Sequence, residues 1–338
     1  MKDRKWLRVL IICLGILAAL YFLTAIVLIY TPDPVFSVTP VFSADDAEAQ
    51  GILKMLKQDY VYQEHTFTVR DGAGLFARQY AADSDTTILL LHGVAGDSFL
   101  LNTSCGMIRE ATDAEIFALD HRGHGKSPGK PGDIDYIGQY EDDVADVIAE
   151  IRARKPGGTL ILAGHSMGGG IALRYAMKDG PSNVDGYLLF APHLGFNSPT
   201  TYPPPEMKSS GEPWFKLHTT RLIGLFMLNI FQIKGFNGLY VGFFNHPSDS
   251  PESPTREYTY RAFSSFSPTD YKTGLKSVDK PLLVLVGSND ESFYGDHFQP
   301  VVTENSNGEV ILFDGLNHNN ILFEDEVVTA ASKWIKKL

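Results

Sequence analysis

The stretch Leu160-Ile161-Leu162-Ala163-Gly164-His165-Ser166-Met167-Gly168-Gly169-Gly170-Ile171-Ala172-Leu173 decides how this chain is read. Its first four residues are apolar and end at a glycine, as in a strand buried on both faces. Ala172, Leu173 and Tyr175 then take up a helical pattern. Between strand and helix stands a serine in the pattern Gly-x-Ser-x-Gly. A turn this sharp strains the serine and exposes its hydroxyl, and side chains at Gly164 or Gly168 would collide across it. The helix behind the serine points its first N–H groups at the site, where they favour developing negative charge. Ser166 is therefore the candidate nucleophile, against the plainer reading of a glycine-rich turn.

The same alternation extends in both directions. Apolar runs at Thr87–Leu91, Ile116–Leu119, Tyr187–Phe190, Leu282–Val286 and Val310–Phe313 predict further strands, with a hairpin of His65–Val69 and Gly74–Ala81 in front. Val144, Val147, Ile148 and Ile151 mark one buried face of a helix over about 137–154, and a last helix is expected near 324–338. Strands alternating with helices predict an α/β fold with a mostly parallel sheet covered on both sides. Residues of about 196–275 break the rhythm with many prolines and the apolar piece Leu222–Ile233. An insertion of that length is expected to be a functional lid.

A serine hydroxyl attacks poorly at neutral pH, so it needs a base, and the base needs an orienting acid. Two strand ends supply them: Gly287-Ser288-Asn289-Asp290-Glu291 and Asp314-Gly315-Leu316-Asn317-His318. His318 is the candidate base and Asp290 its partner, with Glu291 and Asp296 as alternatives to Asp290. His92-Gly93-Val94 ends another strand. There the N–H of Val94 is the candidate to join that of Met167 in an oxyanion hole, with His92 and Gly93 beside the substrate. His121 and His124 sit in a glycine-broken loop with no third ligand, so no metal site is expected. A buried network of Asp120 and Arg122 is expected in that loop instead.

The set His92-Gly93, Asp120-x-Arg122-Gly123-x-Gly125-x-Ser127, Gly164-His165-Ser166-Met167-Gly168-Gly169, Gly287-x-x-Asp290 and Gly315-x-x-His318 resembles the α/β-hydrolase superfamily. Within it the closest likeness is to the monoacylglycerol lipase and lysophospholipase group, often labelled serine aminopeptidase-like. The resemblance covers roughly residues 60–338. It implies an eight-stranded sheet with a cap after the sixth strand, Ser166, Asp290 and His318 as a triad, and no cofactor.

The 338 residues are 44% hydrophobic and 20% charged, which excludes disorder as the main description. With 29 basic and 40 acidic residues the formal charge is −11, which argues against a nucleic-acid partner. Two cysteines, Cys13 and Cys105, exclude a disulfide framework. A basic head at 1–5 precedes an apolar segment at 6–30. Its 22 uncharged residues from Val9 to Tyr30 span about 33 Å as helix, enough for a ~30 Å hydrocarbon core. An uncleaved membrane anchor is expected, because a cleaved signal would have a shorter apolar region ending in small residues. Lys2, Arg4, Lys5 and Arg8 before the segment, with Asp33, Asp45, Asp46 and Glu48 after it, place the N-terminus in the cytoplasm and the rest outside. Thr31-Pro32-Asp33-Pro34 ends the helix, and 31–59 reads as a linker with a short helix capped by Ser43.

The resulting expectation is a membrane-anchored serine hydrolase acting on lipid-like carboxylic esters. Leu222, Phe226 and Ile230 of the cap are expected to admit the acyl chain. The alternatives are an amidase or peptidase with the same triad, and a non-catalytic binding protein on the same scaffold.

Overall fold

The computed structural model describes residues 2–37, 51, 53–178, 183–202, 213–245 and 255–338. Most of the helix expected from Ser43, and Pro203, Pro204, Pro205, Pro247, Pro251 and Pro254, lie outside the described residues.

Strands β1 (Gln63–Thr68) and β2 (Gly74–Tyr80) form the expected hairpin, turning through Gly72 at φ 84°. After them come β3 (Thr86–Leu91), β4 (Glu115–Leu119), β5 (Thr159–His165) and β6 (Gly186–Phe190). The cap then contributes three short strands, β7 (Phe215–Leu217), β8 (Tyr240–Phe244) and β9 (Glu257–Thr259). The chain returns as β10 (Leu282–Gly287) and β11 (Glu309–Phe313). The main sheet has the order β1-β2-β4-β3-β5-β6-β10-β11. From β4 to β11 all neighbours are parallel, and β2 runs antiparallel to β4. Pairing Leu91 with Gly164, His165 with Phe190 and Gly287 with Phe313 aligns the C-terminal ends of these strands along one rim.

Because successive strand residues face opposite ways, the sheet builds two cores. Leu89, Leu91, Leu160, Leu162, Val284 and Val286 face Val144, Val147, Ile148 and Ile151 of helix Gln139–Arg154 and Ile171 of helix Met167–Ala176. Ile88, Leu90, Ile161, Ala163, Leu283 and Leu285 face Cys105 and Ile108 of helix Asn102–Thr112 and Val327, Ala331 and Trp334 of helix Asp325–Ile335. Each such burial stabilises by about 1.5–3 kcal/mol relative to an exposed side chain.

The cap is more ordered than its prolines imply. Aromatic residues knit β7, β8 and β9 into a small antiparallel sheet, with Phe215 and Phe244 at 4.8 Å and Phe244 and Tyr258 at 5.4 Å between ring centroids. Helix Thr219–Ile230 precedes β8.

The N-terminal helix, Lys2–Ile29, is mostly exposed, with Leu14 at 56% and Leu17 at 62%. It is long and apolar enough to cross a membrane. Its last turns are not a free tether, because Ala25 and Ile29 are fully buried in the first core. Helix Thr219–Ile230 lies against them. A Cβ on Gly224 would sit 2.7 Å from the Ala25 carbonyl oxygen and 2.8 Å from Ile29 Cγ2, so only glycine allows this approach. The buried Arg221 guanidinium donates to the Ile29 and Thr31 carbonyls, the Tyr240 carbonyl and the Asp33 carboxylate at 2.5–3.0 Å.

The loop after β4 also differs from expectation. Asp120 does not pair with Arg122; its carboxylate accepts from the N–H groups of Ser98 and Lys126. Arg122 reaches two other carboxylates, Asp143 through a fork at 2.8 and 2.9 Å and Asp71 at 2.9 Å. Asp143 is 4% exposed, so removing the guanidinium leaves its charge buried without compensation. Arg122→Met is expected to lower unfolding stability by about 3 kcal/mol or more. Chemical denaturation of both proteins in the same detergent checks this, and an unchanged midpoint would contradict it.

Candidate active site

The serine turn is built as the glycines require. Ser166 sits between the end of β5 and helix Met167–Ala176 at φ 52° and ψ −115°, a conformation that costs a non-glycine residue of order 1–3 kcal/mol. Neighbours hold it there. Its N–H donates to the Phe190 carbonyl at 3.0 Å, and its carbonyl accepts from Gly170 and His193 at 3.1 and 2.9 Å. A Cβ on Gly164 would stand 2.5 Å from the Gly168 carbonyl. One on Gly168 would stand 2.4 Å from the carbonyl oxygen of Leu91, so the turn packs directly on the end of β3.

Two neighbouring strand ends bring the other chemistry to this rim. His318 follows β11, and its Nδ1 lies 2.9 Å from Oδ2 of Asp290, which follows β10. The carboxylate's other oxygen accepts the N–H groups of Ser292 and Phe293 at 2.8 and 2.9 Å. With Nδ1–H donating to the carboxylate, the neutral imidazole carries its lone pair on Nε2. The ring lies 4.7 Å, centroid to centroid, from that of His165, the residue before the serine, and Phe293 meets it edge-on at 5.3 Å. Ser166, His318 and Asp290 are 7%, 8% and 3% exposed.

The loop after β3 closes the third side. A Cβ on Gly93 would lie 3.3 Å from Ser166 Cβ and 2.9 Å from His165 Nδ1, so this glycine borders the serine. Among the described residues, the N–H groups of Val94 and Met167 have no acceptor within the protein. For Met167 the reason is its place as the first residue of a helix. Ala95 holds φ 62°, and its N–H donates to the Tyr258 hydroxyl of β9 at 2.7 Å.

Two expected roles move elsewhere. His92 is 1% exposed, with Nε2 accepting from the His121 N–H at 3.1 Å and Nδ1 2.8 Å from the Gly93 carbonyl. With both nitrogens engaged it braces the loop instead of reaching substrate. Leu222, Phe226 and Ile230 lie on the helix that packs against the N-terminal helix, and Phe226 and Ile230 are 59% and 57% exposed. The helix, uncharged from Leu222 onward, makes contact there with residues 21–29 of the N-terminal helix.

Several supporting residues carry no sequence signal. His165 Nε2 lies 2.9 Å from the His318 carbonyl. Glu291, an alternative to Asp290 in the sequence, accepts the His318 N–H at 3.0 Å instead. Tyr202 donates to the Asp290 carbonyl at 3.2 Å. Among the described residues no cluster of three or more His, Cys, Asp or Glu is arranged to hold a metal ion.

Burial sets the protonation of the surrounding histidines. His92 is pushed down to about 4 and His124 to about 3, and His121 and His165 fall well below the ordinary value. Desolvation of the charged ring is the leading cause in each. An unfolded chain takes up these protons near pH 6.5, whereas the folded protein resists them. Between those values the unfolded state binds more protons, so stability is full above about pH 6.5 and is lost as pH falls. The melting temperature is therefore expected to drop between pH 7.5 and 5, with a slope corresponding to uptake of more than about one proton. A flat melting profile over that range would contradict this.

Comparison with known proteins follows the geometry. Residues 82–230 match the family model Hydrolase_4, described as serine aminopeptidase, S33. A monoglyceride lipase homolog of Monkeypox virus is 26% identical over 241 residues, covering 65% of this chain and 77% of that protein. A non-heme haloperoxidase of Rhodococcus erythropolis is 24% identical over 279 residues, covering 78% of this chain and 96% of that one. The crystal structure of Paleococcus ferrophilus monoacylglycerol lipase superposes with a TM-score of 0.57 at 19% identity, over 78% of this chain and 98% of its own. With the sheet order, the cap after β6 and the strained serine turn, these likenesses show that the chain has the α/β-hydrolase fold, with residues 82–230 similar to the serine aminopeptidase S33 family and the sequence similar to monoglyceride lipases.

Proposed function

We propose that this protein is a membrane-anchored serine hydrolase that cleaves carboxylic esters of lipid type, such as monoacylglycerols or lysophospholipids. The observation that carries the reading is the 2.9 Å contact of His318 Nδ1 with Asp290, on the rim that holds Ser166 at φ 52°. In the proposed mechanism His318 Nε2 takes the Ser166 proton as the hydroxyl attacks the ester carbonyl. Asp290 keeps the ring in the required tautomer and stabilises the imidazolium. The oxyanion is held by the N–H groups of Val94 and Met167, whose lack of an acceptor among the described residues supports that role. The imidazolium then protonates the leaving alcohol, and water hydrolyses the acyl-enzyme with His318 again as base.

The lipid assignment draws on the monoglyceride lipase likenesses and on the N-terminal helix. Retention of that helix is supported by its share in the core through Ala25 and Ile29, since its loss would remove both from the core and take the Ile29 carbonyl from Arg221. The basic residues at the start of the helix favour a cytoplasmic N-terminus and an extracytoplasmic catalytic domain.

Ser166→Ala is expected to lower kcat on p-nitrophenyl esters by about 10⁴-fold or more and to abolish labelling by a fluorophosphonate, with the melting temperature preserved. Asp290→Asn is expected to cost about 10⁴-fold through the wrong tautomer. Near-native turnover in the serine variant ends the assignment. A strict preference for acetyl over long-chain esters, or for amides over esters, ends the lipid part alone.

A further inference from the structure

We infer that the cap helix Thr219–Ile230 is itself embedded in the bilayer. It dips into the leaflet next to the catalytic domain, packed antiparallel on the anchor as one two-helix unit. The inference rests on the membrane-anchor reading above and goes beyond it, since a tethering helix alone would leave the cap in water.

The contacts give the direction and depth. Arg221, in the first turn, bonds to Ile29, Thr31 and Asp33. Gly224, one turn on, lies against Ala25 and Ile29. Farther along, the Tyr21 hydroxyl donates to the Met227 carbonyl at 3.1 Å, and the Phe231 ring meets those of Tyr21 and Phe22 at 5.4 and 5.1 Å. The cap helix thus runs back down the anchor from Ile29 to Tyr21. Eight residues at 1.5 Å each make about 12 Å, most of one ~15 Å leaflet.

The chemistry suits hydrocarbon. No residue from Leu222 to Ile233 is charged. The outward face presents Ile223, Phe226, Ile230 and Phe231, 46–59% exposed, and the anchor packed on the other side of this helix is itself exposed and apolar at Leu20, Leu23 and Val27. Both helices thus leave large apolar side chains uncovered by the protein, which argues for lipid as their occupant. The helix end is also closed internally. Gln232 at φ 59° lets its N–H donate to Asn229 and the Ile233 N–H to Leu228, so these two carbonyls of the last turn need no water. Asn229 and Asn237 satisfy each other's amides at 2.7 and 3.0 Å. Lys234 follows the dip, and its stem is long enough to return the charge toward the headgroups. At the upper end Arg221, Asp33, His218 and Lys216 gather where the headgroups would lie.

Depth-sensitive spin labelling of the full chain in phosphatidylcholine liposomes tests this. Cys13, exposed on the anchor, takes the nitroxide as the reference, while the buried Cys105 stays unlabelled. In a Cys13→Ala background, Phe226→Cys and Ile230→Cys report on the cap helix and Leu312→Cys, 45% exposed on β11, on the water side. The ratio of oxygen to nickel-chelate accessibility is expected to be several-fold higher at 13, 226 and 230 than at 312. High ratios at 13 but water-like ratios at 226 and 230 overturn the inference and leave the anchor standing. Water-like ratios at all sites overturn both. Loss of both relaxants at 226 and 230 means a second copy covers the face, which also overturns it. Gly224→Leu, which wedges the helices apart, is expected to lower the ratio at 226 several-fold without changing it at 13. No change there removes the claim that the anchor sets the depth.

Discussion

The site depends on a backbone contact that only glycine permits. Gly168 presses against the Leu91 carbonyl, and Gly164 against Gly168 itself. With those approaches fixed, the chain can pass from β5 into a helix only through a residue in a strained conformation, and Ser166 occupies it. The strain is tolerated because the serine's backbone is bonded to Phe190, Gly170 and His193, three points of the surrounding scaffold. The same contact draws the end of β3 to the turn and brings Gly93 against the serine. One steric constraint therefore fixes two walls of the site.

The third wall has a different origin. Asp290 and His318 follow the paired strands β10 and β11, whose register holds their ends level. Asp290 spends one carboxylate oxygen on two backbone N–H groups, so the other has little freedom and faces His318 in one orientation. His165 and Glu291 then hold the backbone on either side of that imidazole through its carbonyl and its N–H. The ring is placed by packing and hydrogen bonds, so little ordering remains for substrate binding to impose.

The parallel strands were legible in the sequence because each is a short continuous apolar run bounded by glycine, aspartate or proline, a pattern that needs no partner to be read. The nucleophile turn was legible for the same reason, since its constraint is local. Helix Asn102–Thr112 was not, because asparagine, threonine, serine and a central glycine are weak helix formers. Its position is set by tertiary contact, with the Tyr60 ring filling the space a Cβ on Gly106 would take. The cap strands β7 and β9 have three residues each, too few to display a period. The roles of His165, Tyr202 and Tyr258 rest on bonds to residues 88–163 positions away, which no local pattern carries. His92 misled for a related reason, because a histidine at a strand end looks the same whether it faces substrate or, as here, is consumed by its own loop.

The apolar cap segment misled more instructively. Amino acids that exclude water are written identically whether they line an acyl pocket or face lipid, and only the partner distinguishes the two. Gly224 and Arg221 provide that partner, one by allowing close approach to the anchor and the other by anchoring its frayed carbonyl end. From there contacts run without a break toward the serine. Arg221 binds the Tyr240 carbonyl at the start of β8, β8 pairs with β9, and the Tyr258 hydroxyl of β9 accepts the Ala95 N–H and lies 2.8 Å from His124 Nε2. Contiguity of this kind is not by itself coupling, which needs an element with two states. It does mean that the loop bearing the Val94 N–H rests on a cap whose far side is the N-terminal helix, so that long apolar helix also belongs to the frame around Ser166.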